Sequence, residues 1–375
     1  MWIVYLFYLS MLLPAFSISQ MVAGMYFQNR ILWIPFGLIY FFKSLKGRIT
    51  EISLPFVWLS SIFLSYTVFG AVLGWNYMMY LGYLLTSILI VISIPIIKRY
   101  PQLYICFFKF FFLCNIIYAF WQIICVNSGM MSLSMMQSNL PAQNEADYFI
   151  PFFVCPPFIR YSGLFNESSP FNIYLIICFC FFTALGKPYR RYKIAAFLAI
   201  LFGGAKIGYL FFICYAVFFI KSKVIRTIAF ILLVLLIGVI LMNFDLLLEL
   251  TKGEAMSIMA RMSGLEGAAD SGLSLFGSGL KTSSNGEVGL DMFSILSGGF
   301  GVIGGATILI CIMYFFHKIN CRYKNLMILP FLLAALGSGS LLILQYSLMV
   351  YCLIYLEGCF PKENYKCHLQ KTIPS

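Results

Sequence analysis

Apolar runs long enough to cross a bilayer recur along almost the whole chain, and they leave it few ways to fold. Stretches such as 52–74, 78–97 and 103–125 are almost free of charge. About twenty apolar residues suffice for a helix to cross a hydrocarbon core of about 30 Å. With 62% hydrophobic and 10% charged residues over 375 positions, a water-soluble fold would carry more apolar surface than it can hide, so the solvent is lipid. In lipid each backbone N–H and C=O must be paired within the protein, which leaves helices or a closed barrel. The short alternating strands of a barrel are missing from the sequence. The chain therefore reads as all-α, a polytopic integral membrane protein.

The runs fall at about 2–19, 29–42, 52–74, 78–97, 103–125, 171–186, 194–204, 207–220, 228–244, 292–316, 325–337 and 339–356. That is about twelve spans, or ten if 194–204 and 207–220 form a shallow hairpin instead of two crossings. The first run has no basic leader and no small-residue cleavage pattern, so it reads as a span and not as a removable signal. The remainder forms one membrane domain over 1–375, with long loops at 127–170 and 245–291 and a tail at 357–375. Within the second loop, 245–262 has a partly helical apolar spacing that suits a segment lying on the membrane surface.

A net charge of +12 would suit a nucleic-acid partner, but its placement argues otherwise. The basic clusters are Lys43/Lys46/Arg48, Lys98/Arg99, Lys187/Arg190/Arg191/Lys193, Lys221/Lys223/Arg226, Lys318/Arg322/Lys324 and Lys362/Lys366/Lys371. Each follows an even-numbered span. This positive-inside pattern puts both termini in the cytoplasm and both long loops on the outer face. It points to membrane lipid, and away from nucleic acid, as the partner of the basic surface. Lys109 lies about two turns into its run, where its long stem can snorkel to the cytoplasmic surface.

Several chemistries find no residues to support them. The two histidines, His317 and His368, fall on the cytoplasmic side, so no outward Ser/His or Cys/His relay is expected. No Cys/His spacing suggests a metal site, and no cofactor is expected. There is no phosphate-binding Gly-Lys-Ser/Thr loop for ATP-driven transport. The glycines at 298–305 read as close helix packing within a span. Most cysteines sit in apolar runs as small hydrophobes. Only Cys155 and Cys125 are placed for an oxidising compartment, and the spacing leaves a bridge between them open.

The chemistry therefore collects in the outward loops. Arg160, Lys206 and Arg261 each stand just beyond an apolar segment, at the depth of a lipid headgroup. The planar fork of an arginine matches phosphate oxygens, so two outward arginines suit a diphosphate. They suit ordinary anionic headgroups, or pairing with Glu167 and Glu266, equally well. Lys206 lies between two short apolar segments, where a charge costs about 2.5–3.5 kcal/mol on insertion scales, and a polar cavity opening outward would explain it. Glu167 and Asp291 stand just before spans, where partial desolvation can raise a carboxyl towards a working base. Asp291 reads equally as a cap for a helix beginning at 292.

Four stretches resemble the O-antigen (bacterial polysaccharide repeat-unit) polymerases. The first is Arg160-Tyr-Ser-Gly163-Leu-Phe-Asn-Glu167-Ser-Ser-Pro170, similar to an Arg-x-x-Gly-x-x-x-Glu-Pro stretch leading into a span. The second is Gly203-Gly-Ala-Lys206-Ile-Gly208, a glycine turn with a central cation. The third is Arg261 with Gly272 eleven places on, and the fourth is Asp291-Met-Phe-Ser-Ile-Leu-Ser-Gly-Gly-Phe-Gly301. The resemblance implies an inner-membrane glycosyltransferase whose two large periplasmic loops bind undecaprenyl diphosphate-linked oligosaccharide, with a chain-length regulator as a further partner. It implies metal-independent transfer of the growing glycan en bloc onto a lipid-linked repeat unit. Arg160, Arg261, Glu167 and Asp291 would be the catalytic residues, and Lys206, Gly163 and Gly272 would bind substrate. The rival readings are an O-antigen ligase, whose relatives carry a histidine in the large loop that this chain lacks, and a lipid-linked oligosaccharide flippase.

Overall fold

A computed structural model of the chain describes residues 4–5, 7–8, 37–38, 51–75, 77–128, 152–155, 158–161, 163–165, 168–203, 206–220, 222–242, 275–277, 295–337 and 344–359. Nearly all of these are helical. In chain order they form α1 (Leu54–Leu73), α2 (Tyr77–Arg99), α3 (Pro101–Asn127), β1 (Phe152–Cys155), β2 (Phe158–Tyr161), α4 (Ser168–Leu185), α5 (Arg190–Phe202), α6 (Lys206–Phe219), α7 (Lys223–Met242), α8 (Gly301–Lys318), α9 (Lys324–Gly337) and α10 (Leu344–Cys359). Ten of the twelve expected spans thus fall on helices; 2–19 and 29–42 lie largely outside the described residues. Among the described residues, four helices, Leu54–Leu73, Tyr80–Arg99, Pro101–Cys125 and Gly301–Lys318, are long and apolar enough to cross a membrane.

Local chemistry sets the boundaries. Gly74 ends α1 in a left-handed cap whose N–H returns to the Gly70 carbonyl. Tyr100 cannot continue α2 because it precedes Pro101, and Pro101 then opens α3 where a missing N–H costs nothing. At 13 and 14 residues, α5 and α6 are each about 20 Å long, shorter than a hydrocarbon core. They form the short helical pair that the sequence allows.

Two elements differ from expectation. The first long loop contains a hairpin, with β1 antiparallel to β2 in the register Phe153↔Arg160 and Cys155↔Phe158. The run expected as one helix over 292–316 instead has a π-helical turn at Ile295–Gly299, and α-helix starts only at Gly301. Glycines at 298, 299 and 301 weaken the regular ladder there. In addition, α10 continues through Cys359, so Glu357 belongs to its last turn and not to the tail.

Two helices form the axis of the bundle. Every residue of α4 from 171 to 182, and of α10 from 347 to 356, is buried. A helix that is apolar all round has to be surrounded, and α4 packs against α5, α6, α9 and α10. By contrast, α3 turns Ile117, Phe120, Trp121 and Ile124 outward, and α7 exposes Val224, Phe230, Leu232 and Leu235. Apolar faces of this kind suit lipid.

Among the described residues, the basic clusters at 98–99, 187–193 and 318–324 gather at one end. Lys98 Nζ, at the end of α2, lies 3.2 Å from Glu357 of α10, and Glu357 also accepts the Asn320 N–H at 3.2 Å. Lys318, at the end of α8, pairs with Glu51 at 2.9 Å just before α1. Lys109 reaches towards the same end, with its ammonium 5.9 Å from the centre of the Tyr189 ring beside the Lys187/Arg190 turn. Phe181, late in α4, packs on both Tyr104 and Tyr355. The start of α4 and the far end of α3 therefore lie at the opposite end, as do the π-turn and the link between α1 and α2.

Candidate functional site

At that opposite end, α3 carries two carboxamides seven residues apart, two helical turns on one face. Asn115 and Gln122 are both fully buried. The Gly163 N–H donates to Gln122 Oε1 at 3.0 Å, and Gln122 Nε2 donates back to the Gly163 carbonyl at 3.5 Å. The next amide, Leu164 N–H, donates to Asn115 Oδ1 at 3.1 Å, while Asn115 Nδ2 donates to the Phe111 carbonyl at 3.0 Å. A turn inside an apolar bundle has to find partners for its peptide groups, and these two side chains supply them.

The turn needs glycine at its centre. Gly163 has φ +56°, and a Cβ there would lie 2.6 Å from the Phe171 ring. Phe165 then drops into the core against Tyr174 and Phe111, with ring centres 5.0 and 6.4 Å away. Three residues before the glycine, Arg160 occupies β2 opposite Phe153. Its neighbour Tyr161 packs partly against the core, and burial raises its phenol above the ordinary value, so it remains a neutral donor.

The second glycine motif meets the same helix one residue further on. Asn172 of α4 is fully buried. A Cβ at Gly203 would lie 3.0 Å from Asn172 Oδ1, and one at Gly208 would lie 3.5 Å from the same atom. The turn between α5 and α6 thus closes over the start of α4, and Lys206 is the first residue of α6 within that turn. The first and second motifs, more than thirty residues apart in the sequence, share one neighbourhood around Phe171 and Asn172.

A second pin holds the other long loop. Tyr66 and Tyr80 donate to the carbonyls of Phe300 (2.5 Å) and Gly299 (2.7 Å), where the π-turn gives way to α8. Phe300 is walled by Phe63, Tyr66, Tyr80 and Tyr83. Of the loop itself, residues 275–277 are seen against this junction. The Ile303 N–H donates to the Leu275 carbonyl at 3.1 Å. Gly277 has φ +82°, and a Cβ there would lie 2.7 Å from the Gly299 carbonyl oxygen.

Of the candidates from sequence, Gly163 is placed with its surroundings, and Arg160 and Lys206 are placed by their backbones. Glu167, Arg261, Gly272 and Asp291 lie outside the described residues, as does the expected surface segment 245–262. The glycines of α8 do serve close packing: a Cβ at Gly304 would fall on the Tyr66 hydroxyl. The open Cys125–Cys155 bridge is not formed, since the buried Cys125 thiol is free. Asn115, Gln122, Asn172, Tyr66 and Tyr80 were not singled out by a search for charges. The signal was there, because a carboxamide within an apolar run is costly unless it has a partner.

The fold and site define a class: a helical bundle with, among the described residues, four helices able to cross a membrane, and polar turns pinned at one end. Comparison with family models, with curated proteins and with solved structures finds no match to this chain.

Proposed function

We propose that the chain is a polymerase of lipid-linked glycan repeat units, of the O-antigen polymerase kind, acting at the periplasmic face of a bacterial inner membrane. On this reading it has ten to twelve spans with both termini in the cytoplasm, and its pinned end faces the periplasm. The observation that carries the reading is the convergence of the 160–170 and 203–208 motifs on the start of α4, at the end of the bundle away from the basic clusters. Two undecaprenyl diphosphates at one membrane face need fixed cations, and cations placed before reaction need no reorganisation during it. Arg160 and Arg261 would hold the diphosphates, with Lys206 assisting and Gly272 allowing close approach, while Gly163, buried between Gln122 and Phe171, shapes the turn three residues from Arg160. The acceptor hydroxyl oxygen bonds to the anomeric carbon of the growing glycan as the bond to its diphosphate breaks. The diphosphate leaves on its lipid, and Glu167 or Asp291 takes the hydroxyl proton or positions that hydroxyl.

Lipopolysaccharide from a deletion strain tests the class of activity. A single-repeat product is expected. Finished polymer retained on its lipid carrier would mean a ligase, and no surface repeat at all would mean a flippase. Arg160→Ala and Arg261→Ala should each reach the membrane at normal levels and convert long ladders to a single repeat. Unchanged ladders in both variants would remove the arginines from the mechanism.

A further inference from the structure

We propose that Asn115 and Gln122 of α3 are positioning residues, a buried amide seat that fixes the loop carrying Arg160 relative to the start of α4. The proposal rests on the polymerase reading above for what the loop does, but the seat itself is a matter of geometry. Both carboxamides are fully buried on one face of a helix that is otherwise apolar at this level. Between them they engage three backbone polar groups of the 163–164 turn, the Gly163 N–H and C=O and the Leu164 N–H, at 3.0, 3.5 and 3.1 Å. An apolar side chain of the same size would pack as well there and would carry no polar burial cost. The amides therefore serve the loop, with Asn115 Nδ2 alone turned back to its own helix at the Phe111 carbonyl.

The placement explains why a turn is held at this point. Arg160 lies three residues before Gly163 and Glu167 lies four after it. Fixing residues 163 and 164 to α3 leaves three peptide links between the anchor and each of these residues, a reach of about 10 Å. Such a site depends on that precision, because reacting groups misplaced by about 1 Å can lose about a hundredfold in rate. The Phe171 ring beneath Gly163 sets the depth of the same turn from the α4 side.

Hydrogen exchange read by mass spectrometry on the full chain in lipid nanodiscs tests the seat without reference to activity. Gln122→Met and Asn115→Leu each remove one set of partners while keeping the helix apolar. Exchange in peptides covering 161–165 should rise about tenfold in each variant, while peptides covering 103–112 stay unchanged. If Gln122→Met fails to insert, Asn115→Leu decides alone, because it releases the Leu164 N–H by itself. Unaltered exchange at 161–165 would overturn the seat.

The lipopolysaccharide ladder of the same strains tests positioning, with Arg160→Ala beside them. Loss of long ladders in the seat variants and in Arg160→Ala supports the proposal. Long ladders in the seat variants, with exchange raised and Arg160→Ala inactive, would sink the positioning role and leave the polymerase reading standing. Long ladders in Arg160→Ala would instead remove the arginine role, while the exchange result still decides the seat.

Discussion

Gln122 and Gly163 exchange two hydrogen bonds, from the Gly163 N–H to Oε1 at 3.0 Å and from Nε2 back to the Gly163 carbonyl at 3.5 Å. The side chain behaves as an additional peptide unit, offering a donor and an acceptor to a backbone that has no ladder of its own. Gly163 is therefore held from one side by α3 and from the other by the Phe171 ring of α4.

Gly163→Ala should be destabilising for two separable reasons. A left-handed backbone costs a non-glycine residue about 1–2 kcal/mol. Overpacking against Phe171 adds about 1–3 kcal/mol. Thermal unfolding in detergent should show a lowered midpoint, and Phe171→Leu in the same chain should recover part of the loss. The steric share is what returns, since the backbone share does not depend on Phe171. A wild-type midpoint for Gly163→Ala would show that the turn is not held as described.

Sequence legibility followed the strength of the physical signal. Lipid demands long apolar helices, so α1 to α4 lie within a few residues of the runs 52–74, 78–97, 103–125 and 171–186. Positive-inside charge groups helix ends, and Lys98, Lys109 and Lys318 do lie at one end of the bundle. The hairpin at 152–161 was not legible, because two four-residue strands inside a loop give too short a pattern to register. The delayed start of α8 depends on local glycine backbone, which hydropathy does not report. The pinning side chains were missed for a different reason. Their role is set by which backbone they face across the bundle, and no periodicity in α1, α2 or α3 encodes that.

The contact between Tyr66 and Gly304 gives a double-mutant test of the second pin. Gly304→Ala places a methyl on the Tyr66 hydroxyl, so it should force the ring away from the Phe300 carbonyl. Tyr66→Phe alone removes one buried hydrogen bond from that helix-capping carbonyl and should cost about 0.5–1.5 kcal/mol. In Tyr66→Phe the added methyl meets no hydroxyl, so the double variant should be less destabilised than the sum of the two single variants. Additive losses in chemical or thermal unfolding would argue that the two groups do not meet.

Sidedness is open to a direct test. The link at 74–76 and the link at Tyr100 lie at opposite ends of α2, and Lys98/Arg99 mark the second. An alkaline phosphatase fusion after Trp75 should be active and one after Tyr100 inactive, since the enzyme folds only outside the cytoplasm. The reverse pattern would place the pinned turns in the cytoplasm and end the case for periplasmic chemistry.

The joint between the two glycine turns yields the last prediction. A Cβ at Gly208 would lie 2.6 Å from Ile200 Cγ2, and one at Gly203 would lie 3.0 Å from Asn172 Oδ1. Gly208→Ala therefore meets the Cγ2 methyl on the branched Cβ of one side chain, and a smaller neighbour without that methyl can relieve it. Gly203→Ala meets the buried Asn172 carboxamide of α4, together with the Ala199 carbonyl oxygen at 2.8 Å, and neither can retreat easily. On the polymerase reading proposed above, Gly208→Ala should shorten the lipopolysaccharide ladder, and Ile200→Ala in the same chain should restore it. Gly203→Ala should shorten the ladder and resist rescue by Ile200→Ala. Overpacking of about 1–3 kcal/mol leaves a multi-helix bundle folded, so membrane levels should hold while the turn bearing Lys206 moves. Full-length ladders in both glycine variants would mean that this turn need not be held against Asn172 for polymer to form.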